Sequence, residues 1–239
     1  MARLSKQQQA EIRLKIINTA VELFSENGFE ATSMKKIARE AGIGDATIYK
    51  YFANKDKLIY GYYGLMATET AQQFLAEDDL SEYSLQEKLQ LLIDIYLNNF
   101  LPNREFVCDS INMIMQSPSI LFKDVAPVRE EFVELIRNLL NEAEQAGEIA
   151  ESPFTDATAK LANDYLLAVL LYWVNDDSEE FSNTTQMVDM SLDLGVEILR
   201  SGIVSKATDL VSFFVKAHLF RFMGSGFLNK LVMKKSFGL

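Results

Sequence analysis

Residues 41–52 read AGIGDATIYKYF, and this stretch constrains the fold more than any other part of the chain. Gly42 and Gly44 stand two apart between segments of helical periodicity. Glycine ends a helix at little cost because it takes a left-handed backbone freely, and it also serves as a weak N-cap for the next one. Upstream, Ile12, Ile16, Ala20 and Phe24 recur at four-residue spacing, with Ile17, Val21 and Leu23 beside them. That spacing predicts a helix over 8–27 that stops at Gly28. Thr32 and Ser33 offer a hydroxyl cap to a short helix over 33–41, whose Ile37, Ala38 and Ala41 face inward. A third helix, over 45–52, is anchored by Ile48 and Phe52. Two short helices joined by a glycine turn make a helix-turn-helix, and the three helices share one small core.

The remainder repeats the helical theme. Only 4 prolines and 11 glycines interrupt 239 residues, and runs of strict apolar–polar alternation are scarce, so the chain reads as all-α. A long helix is predicted over 55–77, with Gly61 and Gly64 inside it as a candidate hinge. An acidic loop over 77–82 follows. Further helices are predicted over 85–101, 104–115, 128–146, 155–174, 184–200 and 207–222, with a second acidic loop over 175–182. The organisation is a three-helix head over 1–54, a larger helical body over 55–225 and a basic amphipathic tail over 226–239.

Charge separates head from body. The net charge is −11, yet residues 1–55 carry nine Lys/Arg against six acids, a balance of +3 that leaves −14 on the rest. A basic head on an acidic body suits contact with a polyanion through one face. Cys108 and His218 are each alone, which excludes a disulfide framework and a zinc site built from such residues. No nucleophile–base pair, carboxylate cluster or glycine-rich phosphate loop stands out, so neither enzymatic activity nor a cofactor or metal is expected. The polar N-terminus lacks a secretory core, and the longest apolar run, over 165–174, is too short to span a bilayer. A cytoplasmic protein without stable membrane association is expected.

A helix that enters the major groove of DNA needs small polar groups near its N-terminus, since bulk there would hold the backbone off the base edges. Asp45, Ala46 and Thr47 meet that need, and Lys50 reaches a guanine edge or a phosphate from one turn further. The phenols of Tyr49 and Tyr51 can donate to phosphates, which sets register without reading sequence. Phe52, and Tyr49 in part, also pack inward.

The run Gly28-Phe29, Thr32-Ser33, Ile37-Ala38, Ala41-Gly42-Ile43, Thr47-Ile48-Tyr49, Tyr51-Phe52, Lys55 and Leu58 resembles the DNA-binding domain of the tetracycline-repressor (TetR) family of bacterial regulators. Gly44 and Ala46 depart from the serine and glycine common at those positions. The resemblance implies that Thr32 and Ser33 cap the second helix and touch phosphate, and that Lys35 points toward the groove. It places Asp45, Ala46, Thr47 and Lys50 at the bases, with Gly44 beginning their helix as part of the DNA-binding set and Tyr49, Tyr51 and Lys55 on the DNA backbone. It further implies a homodimer on a palindromic operator, through two late helices, those over 155–174 and 184–200 or the one over 207–222 in place of either, and a small apolar or amphipathic effector that releases the DNA. The apolar run over 165–174 is expected to be buried on most sides, partly by the partner. Phe100, Phe106, Met113, Met115, Phe122, Tyr165, Tyr172 and Trp173 are the candidates for the effector pocket. A lipid- or isoprenoid-binding protein of the same fold, without DNA function, is the competing reading, and the intact head stands against it.

Overall fold

The computed structural model describes residues 5–115, 126–207, 210 and 213, and of residues 112, 115 and 126–128 the backbone alone. Phe122, the Met115 side chain, most of the predicted helix over 207–222 and the tail over 226–239 lie outside the described residues. The described residues are α-helical with short 3-10 turns and contain no strand.

The head is built from α1 (Lys6–Asn27), α2 (Met34–Glu40) and α3 (Asp45–Tyr51). Ser5 opens α1 with a capping box, its hydroxyl accepting from the Gln8 N–H while Gln8 Oε1 accepts from the Ser5 N–H. Gly28 closes the helix at φ +79°, where a side chain would be strained. Ser33 caps α2 by accepting from the Lys36 N–H, and Gly42 turns the chain at φ +67°. Ile16, Ile17, Phe24, Ile37, Ala38, Ile48 and Phe52 close the core of the head.

The body begins with α4 (Lys55–Leu75), capped by the Asn54 side chain, whose Oδ1 accepts from the Lys57 N–H. It continues with α5 (Leu85–Phe100), α6 (Arg104–Met115), α7 (Ala126–Gln145), α8 (Thr155–Trp173) and α9 (Ser182–Ser201). α4 packs on α5 and α7, and α7 lies along α8. The two acidic loops each contain a 3-10 turn, Leu80–Glu82 and Glu179–Phe181. α9 starts two residues earlier than its periodicity predicts. The buried Asp176 carboxylate accepts from the backbone and hydroxyl of Thr184 and of Ser178, and so fixes the first turn.

Head and body do not have separate cores. One apolar cluster runs from α1, α2 and α3 through α4 into Phe100, Phe106, Leu170 and Trp173, and a second lies between α5, α7, α8 and α9. Gly61 belongs to the first cluster and is no open hinge. A Cβ there would stand 2.7 Å from a ring carbon of Phe52 and 3.4 Å from Ile17 Cδ1. The Phe52 ring is buried and covered by the Arg13 guanidinium at 4.4 Å, so it has little room to yield. Overpacking costs about 1–3 kcal/mol, and alanine in place of a helical glycine returns about 1 kcal/mol. Gly61→Ala is therefore expected to lower stability by about 0–2 kcal/mol in chemical denaturation; a more stable variant would contradict this packing.

Candidate nucleic-acid interface and effector core

α3 turns one side to solvent. Ile48 is fully buried and Phe52, just past the helix end, nearly so. Asp45 and Tyr49, four apart, stand exposed beside Ala46 and Lys50, also four apart. Thr47 and Tyr51 are half-buried at the margin of this face. Tyr49 is 51% exposed, so the more buried phenol is that of Tyr51, the reverse of the sequence expectation. No side chain caps α3, and Asp45 supports it only by its charge in the first turn. Gly44 begins α3 in an extended conformation, and a Cβ there would meet nothing closer than Thr47 Oγ1 at 3.4 Å. A serine would fit that position, so the fold does not demand glycine.

Lys35 and Arg39 are exposed on α2, Arg39 beside Glu40 at 3.7 Å. Sequence reading missed Lys15, whose Nζ reaches over the turn and lies 3.6 Å from the Cβ position of Gly42. No local signal could have placed it, because the crossing of α1 over the turn is a tertiary fact.

Two residues are seated differently from expectation. Thr32 is 1% exposed, and its hydroxyl donates inward to the Leu23 and Gly28 carbonyls at 3.1 and 2.9 Å. It therefore does not cap α2, and Ser33 does so alone. Lys55 donates to the Phe29 carbonyl at 2.6 Å and sits over the Phe29 ring at 4.1 Å. Its ammonium braces the head from within rather than standing free for DNA.

The pocket candidates divide. Phe100 and Phe106 are buried on either side of Tyr62, with ring centroids 5.9 and 5.1 Å from it. Tyr63 and Tyr96 pack on Phe100 from α4 and α5. Polar groups lie among these rings: the Tyr63 hydroxyl meets Ser110 Oγ at 2.9 Å, and Asn99 donates to Thr70 at 3.0 Å. Burial pushes the Tyr62 phenol up to about 12 and raises those of Tyr63 and Tyr96 as well, so all three stay neutral donors. Met113 is half-buried against the same cluster. Trp173 is buried under Phe181 and Arg104. Tyr165 instead bonds Ser191 across α8 and α9, and Tyr172 is exposed on the outer side of α8, so neither joins the aromatic cluster. An open surface hollow of about 530 Å³, lined by Asn141, Glu144, Gln145, Glu151 and Ser205 among others, shares no residue with that cluster.

The run over 165–174 is not buried all round in the single chain. Leu161, Leu167 and Tyr172 on α8 are exposed, as are Met190, Leu194 and Ile198, which follow one another at four-residue spacing on α9. Among the described residues no helix is long and apolar enough to cross a membrane, and no group of His, Cys, Asp and Glu could hold a metal ion.

The family model for bacterial regulatory proteins of the tetR family matches residues 16–60, and that for the tetracyclin repressor-like C-terminal domain matches residues 88–214, more than half of the chain. The chain belongs to the TetR family. Its function class follows: it is a DNA-binding transcriptional regulator of the ligand-responsive kind. The fatty acid metabolism regulator protein of Bacillus subtilis is 27% identical over 196 residues, covering 81% of this chain and 96% of the relative. UidR of Escherichia coli K12 is 29% identical over 160 residues, 66% of this chain and 79% of its own. Among solved structures, FadR of B. subtilis in complex with stearoyl-CoA superposes with a TM-score of 0.57 at 24% identity, over 79% of this chain and 98% of that one. GusR of Salmonella enterica gives 0.61 at 20%, over 84% and 100%. At these identities the structures establish the fold. None of these relatives is named as a lipid-binding protein without a regulatory role.

The inward seat of Thr32 is checked by substitution. Thr32→Val strands two carbonyls in a buried site and is expected to cost about 1–3 kcal/mol. Ser33→Ala removes only the cap and is expected to cost about 1 kcal/mol. Both are read by urea denaturation, and a Thr32→Val protein as stable as the parent would place the hydroxyl elsewhere.

Proposed function

We propose that the chain is a repressor that holds a palindromic operator as a homodimer and releases it when a long-chain acyl compound enters the body. The observation that carries the reading is the outer side of α3: Asp45, Ala46, Tyr49 and Lys50 are exposed, and their side chains make no hydrogen bond or ion pair among the described residues. With Thr47 at its margin, this face approaches base edges, while Ser33, Lys35, Tyr49, Tyr51 and the newly found Lys15 hold phosphates. The head over 1–54 reads, and the body over 55–225 assembles and senses, in the cytoplasm and by binding alone.

The dimer forms through α8 and α9. Leu161, Leu167 and Tyr172 on one helix and Met190, Leu194 and Ile198 on the other offer a second copy an apolar surface. Burying apolar surface is worth about 25 cal/mol per Å². A two-fold pair then sets two recognition helices about 34 Å apart, one helical turn of DNA. The acyl class is supported by the name of the B. subtilis relative, by the stearoyl-CoA held in the FadR structure, and by the aromatic interior around Tyr62 and Phe100. Such a ligand releases DNA only by favouring one head arrangement over the other.

Fluorescence anisotropy on DNA from upstream of the protein's own gene tests the reading face. Lys50→Ala is expected to lose about 1–3 kcal/mol of operator affinity and to flatten the salt dependence by about one ion. An unchanged affinity would remove Lys50 from the interface. Leu194→Glu is expected to sediment as a monomer and to lose tight operator binding; a dimer with full affinity would move the interface off α9.

A further inference from the structure

Glu180 and Phe181, in the 3-10 turn that leads into α9, both take a left-handed backbone, at φ +51° and +56°. Glycine enters that region freely and aspartate or asparagine on occasion, but glutamate and phenylalanine do so only under strain. Among the described residues Asp79 is the other non-glycine residue with positive φ, so two in succession stand apart. What the strain holds in place is the Phe181 ring. It lies 5.4 Å from the Trp173 ring, and the Arg104 guanidinium covers both, 5.4 Å from Trp173 and 5.0 Å from Phe181. A terminal nitrogen of Arg104 donates to the carbonyls of Trp173, Val174 and Asp176 at 3.2, 3.1 and 3.0 Å. Arg104 Nε is buried there without a hydrogen-bond partner, a second cost in the same place. The loop is pinned on both sides, because the buried Asp176 carboxylate accepts from the N–H and hydroxyl of Ser178 and from those of Thr184. Between these pins residues 179–181 are the part left to rearrange, and Glu179 and Glu180 are exposed.

Backbone strain persists only where surrounding contacts over-determine it, and such segments supply elements with two positions. This clasp ties α6 to α8 and α9. On α6, Phe106 stands two residues from Arg104, about 200° round the helix. The opposite side of α6 thus reaches the head, where Phe106 stacks on Phe24 of α1 with ring centroids 6.0 Å apart. Resting on the dimer through α8 and α9, we propose that Glu179–Phe181 is a strained latch, with Arg104 and Phe181 as positioning residues for operator binding. Closed, as here, Phe181 holds α6 against α8 and α9 and so fixes where each head stands relative to the dimer. Open, with Phe181 off the Trp173 ring and residues 180–181 relaxed, α6 and the head are free to shift. The strain narrows the advantage of the closed form, which keeps the open one within reach. An operator fits one spacing of the heads, so DNA favours the closed latch, and by linkage closing the latch favours DNA.

Trp173 is the chain's one tryptophan, is buried and lies outside the DNA-reading helices, so its emission reports the latch alone. Acrylamide quenching of the full-length chain is measured with and without a duplex from upstream of its own gene. Operator affinity is followed by anisotropy, assembly by sedimentation and stability by melting. Bound operator is expected to lower the quenching constant of the parent about twofold. Glu180→Gly lifts the strain at an exposed position; it is expected to lower quenching without DNA and to bind operator about threefold more tightly. Phe181→Ala is expected to raise quenching, to bind operator about threefold more weakly and to remain a dimer. A parent whose quenching ignores bound operator overturns the latch and leaves the repressor reading standing. A Glu180→Gly protein that melts higher yet binds operator as the parent does shows that the strain serves the fold alone, and also overturns it. If Phe181→Ala sediments as a monomer, the loop belongs to the interface and the latch falls; if that variant fails to fold, Glu180→Gly decides alone. A parent that is no dimer, or does not bind the duplex, defeats the operator reading itself and the latch with it.

Discussion

The ring of Phe106 is the contact on which the rest of the molecule depends. It lies nearly parallel to Phe24 of α1, at 10° and 6.0 Å, and edge-on to Tyr62 of α4, at 87° and 5.1 Å. Aromatic pairs of these geometries add about 0.5–1.5 kcal/mol beyond the area they bury. Through them a body helix touches the first helix of the head directly, without passing through the chain connection at residue 54. The close approach of α4 to Phe52 at Gly61 ties the recognition helix to the same unit. Interiors packed in this way move as pieces rather than deforming smoothly.

A second joint sits at the first residue of α6. Arg104 places its guanidinium on the last carbonyls of α8, where the helix dipole favours a cation. Cys108 adds a thiol contact to the Val174 carbonyl at 3.4 Å, one turn along α6. Just beyond, hydrogen bonds from Ser178 and Thr184 hold the Asp176 carboxyl well below the usual carboxylate range and fix the start of α9. One helix therefore joins the aromatic core, the head and the pair of helices that carry the exposed apolar stripe.

Much of this was legible in the chain. Gly28, Gly42 and Ser33 mark the ends of the head helices because helix termini have specific chemical needs, and those needs are local. The periodic body helices were equally plain, from α5 with its Ser84–Glu87 capping box to α7. The misreadings share another cause. Thr32 and Ser33 carry the same hydroxyl, and only the path of the loop decides which one faces Leu23. In the run over 165–174 nearly every side chain is apolar, so the sequence holds no phase, and Tyr172 outward was indistinguishable from Trp173 inward. Arg104, Lys15 and Tyr62 matter through partners on distant elements, and no spacing rule reaches them.

The seat of Gly61 has a mechanical consequence. α4 has 21 residues, which makes it a rod about 30 Å long. Its head end is pressed against the Phe52 ring with no slack to absorb motion. A tilt of about 5° at the body end moves the other end by about 3 Å, close to the 3.4 Å rise of one base step along a DNA strand. In a two-fold pair the displacements oppose each other and add. A slight leaning of two such levers is thus enough to put their recognition helices out of step with successive major grooves, with neither head changing its own shape.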